Sequence, residues 1–147
     1  MSMSRLYTVP NDGNCIFHSL YKVFGDELTD IGIDDNFILR TKIVEFGYEN
    51  HKQIILNLHS MSYGVMKDYN SNHNLSFADF SINNWRDVMS VDTHWGSSLE
   101  ILLCCLMVKK SIIYVDKSGE ENIFCPDYPS NGDKKIISNG EHCFPFC

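Results

Sequence analysis

The sequence predicts an α+β domain, with helices first and a small, mostly antiparallel sheet packed against them afterwards. Three observations predict it. Apolar residues recur at helical spacing through the N-terminal part, as at Ile16, Leu20 and Phe24 and in the run Ile101–Val108. From Ile112 onward, short β-branched and aromatic segments follow one another, separated by Gly and Pro. The chain has 147 residues, 44% hydrophobic and 21% charged, which is the size and balance of one folded domain.

Each element follows from its residues. Residues 6–9 (Leu6, Tyr7, Thr8, Val9) read as a short extended lead-in, and Pro10–Asn14 is turn chemistry. From Cys15 the i, i+4, i+8 series of Ile16, Leu20 and Phe24, with Phe17 and Tyr21 beside it, predicts a helix that stops at Gly25. Residues 26–35 hold five acids and no base and are expected to form a loop. Asp34 or Asp35 caps the next helix, which runs to about Tyr48 with Phe37, Ile38, Thr41, Val44 and Glu45 in its frame. A further helix covers Lys52–Leu58. Residues 60–75, rich in Ser, Asn and Tyr, are expected to be looped or weakly helical. Ser76 is placed to cap Phe77–Ile82, and Trp85–Met89 adds another helical turn. Ser97 or Ser98 opens the clearest helix, which ends near Val108, where Lys109 and Lys110 suit the negative end of its dipole. Ile112–Val115 reads as a buried central strand, and Asn122–Cys125, Lys134–Ile137 and His142–Phe146 supply the others. With no repeat, low-complexity tract or linker in the sequence, residues 1–147 are read as a single domain.

The net charge of −7 argues against nucleic-acid binding, which needs a cationic footprint. No basic amphipathic stretch addresses a membrane surface. The longest apolar run, Ile101–Val108, is eight residues, against the ~20 that span a bilayer. Met1–Tyr7 lacks the apolar stretch of a signal peptide. The six cysteines, Cys15, Cys104, Cys105, Cys125, Cys143 and Cys147, are therefore expected as reduced thiols in the cytoplasm, with Cys104 and Cys105 packed in the core. The expected state is a monomer.

The chemistry centres on Asp12-Gly13-Asn14-Cys15, a turn that delivers a thiol to a helix N-terminus. Unpaired N–H groups and the positive dipole end favour the thiolate there. The same N–H groups, with those around Gly13 and Asn14, can stabilise a tetrahedral oxyanion. The plain alternative is an ordinary Asp-Gly turn beside a packing cysteine. A nucleophilic cysteine needs a base, normally a histidine distant in sequence. His18, three residues on along the same helix, reads as a local packing or hydrogen-bonding residue. His51, His59 and His73 lie in polar surroundings and read as surface. His94 precedes Trp95-Gly96, and His142 lies in a strand candidate; composition does not choose between them.

Asp12-Gly13-Asn14-Cys15-Ile16-Phe17-His18-Ser19 resembles the nucleophile motif of the ovarian-tumour (OTU) cysteine proteases, and its His-Ser pair resembles viral members. Trp95-Gly96-Ser97-Ser98-Leu99-Glu100 resembles that family's Trp-Gly-x-x-x-Glu motif, and His142 falls where the family carries a histidine on a terminal strand. The resemblance implies a papain-like OTU fold and hydrolysis of bonds to the C-terminal glycine of ubiquitin or a ubiquitin-like protein, without cofactor or metal. It implies Cys15 as nucleophile, His142 as general base and acid, and Asp12, Gly13 and Asn14 in the loop that forms the oxyanion hole. Trp95 and Gly96 are implied as structural neighbours of the centre, and Glu100 as a hydrogen-bonding support. It also implies that the acidic 26–35 segment can meet the basic tail of ubiquitin, and that Tyr63, Tyr69 and Phe77 are contact candidates as well as core candidates.

One position departs from the family. The residue two after the histidine, which shares its face on a strand and orients the ring, is Phe144 rather than Asn or Asp. Three readings stay open: a Cys-His dyad; another orienting acceptor among Asn139, Glu141, Asp12 or a backbone carbonyl; or a weak or inactive hydrolase that binds ubiquitin. A viral polyprotein protease is a further alternative. A zinc site from Cys125, His142, Cys143 and Cys147 is disfavoured, because no C-x₂-C pair is present and neighbouring strand residues face opposite sides. Cys143 and Cys147 are expected to pack in or near the sheet.

Overall fold

The computed structural model describes residues 14–58, 82–91, 98–130, 132, 134–138 and 142–147. Asp12, Gly13, Trp95, Gly96, Ser97, His59, His73, His94, Tyr63, Tyr69, Phe77, Asn139, Glu141 and the whole 60–75 segment lie outside these residues. Among the described residues, six helices precede four strands, the predicted order.

Helix α1 (Cys15–Val23) turns one face inward, burying Ile16, Phe17, Ser19, Leu20 and Val23. It does not run to Gly25: Gly25 instead opens a second helix, α2 (Gly25–Asp30). The expected acidic loop is therefore half helix. Asp26 and Glu27 occupy its first turn, where carboxylates suit the positive helix end, and Leu28 anchors it in the core. Gly32, at φ +88°, closes it. The Gly32 N–H donates to the Thr29 carbonyl at 3.0 Å and the Ile33 N–H to Leu28 at 2.8 Å, with Ile33 and Leu28 both buried, a Schellman closure.

Helix α3 (Asn36–Asn50) starts where the Asp35 carbonyl accepts the N–H groups of Ile38 and Leu39. Its buried stripe is Leu39, Arg40, Ile43, Val44 and Gly47. Ile38, Thr41 and Glu45, placed in the frame by the sequence, are exposed. Arg40 sits within the stripe and disguises its period. At Gly47 a Cβ would stand 2.9 Å from Leu103 Cδ1 and 3.1 Å from both Ile55 Cδ1 and Trp85 Cη2, so the helices close here on a bare backbone.

Helix α4 (Lys52–Leu58) has the expected span and buries Ile55. Helix α5 (Ile82–Met89) begins earlier than expected and buries Trp85 and Met89. Helix α6 (Ser98–Val108) buries Leu99, Glu100, Ile101, Leu103, Cys104 and Cys105, as its unbroken apolar run requires. It ends on Lys109 in the left-handed region, φ +59°.

Strands β1 (Ile112–Val115), β2 (Glu121–Phe124), β3 (Lys135–Ser138) and β4 (Cys143–Phe146) form one sheet in the order β2-β1-β3-β4. The β1/β2 and β3/β4 pairs are antiparallel, and β1/β3 is parallel. β1 is internal, as predicted, although only Ile112 within it is fully buried. His142 stands just before β4 rather than inside it. Helix α1 packs on β4, so the two elements most distant in sequence are neighbours, while α3 lies against α1, α5 and α6.

Candidate active site

Cys15 is the first residue of α1, and Asn14 is the N-cap, with the Asn14 carbonyl accepting the His18 N–H at 2.9 Å to close the first turn. Packing α1 on β4 sets the half-buried Cys15 thiol against His142 and Cys143. The imidazole hydrogen-bonds to the sulfur, as do the thiol and backbone N–H of Cys143. Among the described residues, His142 is the histidine that acts on Cys15. His18 is half-buried on α1, and His51 packs on Phe46 with centroids 4.9 Å apart.

These contacts lower the Cys15 pKa from 9.0 to about 6. The Cys143 thiol is the largest cause. Burial opposes it, and the Cys143 N–H, the His142 charge and the His142 hydrogen bond add to it. Cys143 moves the other way: sharing its hydrogen with Cys15 and lying buried both hold its own thiol protonated. Ser19 Oγ stands 3.6 Å from Cys143 Sγ. Since Cys143 gives its one hydrogen to Cys15, the Ser19 hydroxyl donates to Cys143. A short relay thus runs from a buried serine through one thiol to another.

Cys143 is buried at the start of β4, as expected of a cysteine packed in or near the sheet. Its thiol also reaches the same sulfur as His142, which the alternation of strand residues does not forbid, because His142 precedes the strand. Phe144, at the orienter position, meets the imidazole edge-on: the ring centroids are 4.6 Å apart and the planes 87° apart. Aromatic packing thus occupies the place of a hydrogen-bond acceptor.

Behind the thiol, Asn14 Oδ1 accepts from Arg40 Nη2 at 2.5 Å. Arg40 Nη1 donates to the Met89 carbonyl at 2.9 Å, and its guanidinium lies 4.2 Å from the Phe17 ring centroid. The sequence signal for Arg40 was a lone base inside an apolar helical stripe. Glu100, fully buried, accepts the Trp85 indole N–H at 3.2 Å and so ties α6 to α5.

A thiol at the start of the first helix, facing an imidazole that precedes the last strand, on helices packed against a small sheet, is the papain-like arrangement. More narrowly, the architecture is that of OTU domains. An OTU deubiquitinase from Wolbachia pipientis wMel matches with a TM-score of 0.64 at 16% identity, over 98% of this chain and 88% of that one. An OTU domain in complex with ubiquitin matches at 0.63 and 16% identity, over 97% and 69%. The Hazara virus OTU bound to ubiquitin matches at 0.58 and 16% identity, over 98% and 80%. No family model and no curated protein matches the sequence. At these identities the likeness is one of fold.

Proposed function

We propose that this chain is a cysteine-type deubiquitinase that cleaves the isopeptide bond at the C-terminal glycine of ubiquitin or a ubiquitin-like protein. The observation that carries the reading is the Cys15 thiol, its pKa lowered to about 6, within hydrogen-bonding reach of His142 on an OTU fold. At neutral pH such a sulfur is a thiolate, the nucleophilic form. It attacks the glycine carbonyl. The N–H groups at the start of α1, with the loop through Asp12, Gly13 and Asn14, hold the oxyanion. His142 protonates the leaving lysine amine and then, as base, activates the water that hydrolyses the thioester. Trp95 and Gly96 support the centre, Glu100 holds α6 in place, and the setting is the reducing cytoplasm. The test is intact-mass labelling by ubiquitin bearing a C-terminal electrophile. Wild type gains one ubiquitin and Cys15→Ala gains none; labelling of Cys15→Ala rejects the assignment.

The Phe144–His142 contact favours a second reading, a ubiquitin-binding module without turnover. It predicts measurable ubiquitin binding with no cleavage of any diubiquitin linkage, so one cleavage panel separates the two.

A further inference from the structure

Two thiols meet where α1 packs on β4, and attack on a carbonyl uses only one of them. Cys15 is half-buried, so part of it meets solvent. Cys143 is 2% exposed and is shielded from dissolved reagents. Cys15 and Ser19 stand one turn apart on the same face of α1, and Ser19 Oγ lies 3.6 Å from Cys143 Sγ. The Cys143 thiol hydrogen-bonds to the Cys15 sulfur, so the two sulfurs are neighbours. That juxtaposition suits a chemistry other than acyl transfer. An accessible thiolate reduces a peroxide, and an adjacent thiol resolves the product.

We propose that Cys15 and Cys143 form a reversible disulfide in response to a hydroperoxide, Cys15 being the sulfur that is oxidised and Cys143 the thiol that resolves it. The inference rests on the reading of Cys15 as the reactive thiolate and adds a modification that silences it. The Cys15 thiolate attacks one peroxide oxygen: an S–O bond forms, the O–O bond breaks, and the departing hydroxide takes the His142 proton and leaves as water. The Cys143 sulfur then attacks the sulfenic sulfur: the S–S bond forms, the S–O bond breaks, and the departing hydroxide takes the Cys143 proton. The two cysteines lose two electrons, and the peroxide becomes two waters. The contacts set this order. While Cys15 is a thiolate it holds the Cys143 hydrogen, and Cys143 stays protonated. Oxidation of Cys15 removes that charge, and the Ser19 hydrogen bond, which favours the Cys143 thiolate, remains. Two molecules of a small thiol reduce the bridge and restore both sulfhydryls. Closed, the bridge takes away the nucleophile and spares Cys15 the irreversible sulfinic step.

The test treats the full chain with hydrogen peroxide in small excess at neutral pH. Remaining thiols are alkylated with iodoacetamide under denaturing conditions, and cysteine peptides are mapped by mass before and after dithiothreitol. Wild type is expected to yield a Cys15–Cys143 link. Release of a fluorogenic amide from the C-terminus of ubiquitin is lost in step with the link and restored by dithiothreitol. Cys147→Ser, in the same C-terminal tryptic peptide, keeps the link and shows which thiol made it. Cys143→Ala also loses a group that holds the Cys15 thiolate, so it is compared at equal consumption of the Cys15 thiol. There Cys15 is expected to carry two added oxygens instead, and dithiothreitol returns at least about threefold less of its thiol than in wild type. A wild-type Cys15 that stays reduced, links to another cysteine, or passes to sulfinic acid without a Cys143 link overturns the proposal, and that result needs no variant to fold. If the link forms but the reduced protein releases nothing from ubiquitin, the reading of function fails and the bridge stands. Release from ubiquitin without the link keeps the function and rejects the bridge.

Discussion

A sulfur is reactive at neutral pH when its neighbours give it hydrogen, and the largest giver to Cys15 is another thiol. Cys143→Ala removes that donor. Because the shift is downward, wild-type alkylation is near its plateau at neutral pH and falls as the pH drops through about 6. Without Cys143 the midpoint moves up toward the ordinary 9.0, measurable as alkylation rate against pH. Phe144→Ala acts elsewhere. It removes an edge contact that fixes the imidazole plane, so turnover is expected to fall about tenfold through misorientation while the Cys15 midpoint moves less than in Cys143→Ala. A shift of the midpoint as large as that of Cys143→Ala counts against a purely orienting role. The meeting of Cys15 and His142 was legible through the resemblance. The part of Cys143 is not, because strand alternation sets it opposite its neighbour His142, and His142 stands outside the strand.

Elements were most legible where apolar spacing was unbroken, as in Lys52–Leu58 and Ser98–Val108. Half of the acidic segment is helical, because charge density by itself is no loop signal where the acids sit in a helix's first turn. Gly32 held the better clue, as a left-handed stop after a buried Leu28. The end of α6 lacks such a glycine: Lys109 takes the left-handed turn, and both its N–H and that of Lys110 reach the Cys105 carbonyl, at 2.8 and 3.3 Å. Lys109→Gly is expected to stabilise the fold by about 1 kcal/mol, as a higher urea midpoint at unchanged slope. Gly47→Ala is the converse. The alanine brings ~1 kcal/mol of helix propensity, but its methyl collides with Leu103, Ile55 and Trp85, and overpacking of this kind costs about 1–3 kcal/mol. Net destabilisation is expected in the same titration, and a stabilised Gly47→Ala would show that α3 can move aside.

At the scale of the molecule, the α-then-β order and the internal place of β1 followed from the sequence patterns. The parallel β1/β3 pairing did not, since no local signal records which edge a strand chooses. That pairing carries β3, and with it β4, to the side of the sheet where α1 packs. Chemistry and stability are thereby joined. Rapid Cys15 alkylation at neutral pH and the helical circular-dichroism signal should vanish at one urea concentration, the behaviour of a cooperative single domain. Loss of alkylation ahead of the helices would instead mark β4 as a unit that detaches alone. The sulfur at position 15 leaves the ribosome long before the imidazole at position 142 and the thiol at position 143. Until those later residues emerge and dock, the nascent chain carries an ordinary sulfhydryl, and the lowered pKa is acquired only once β4 is in place.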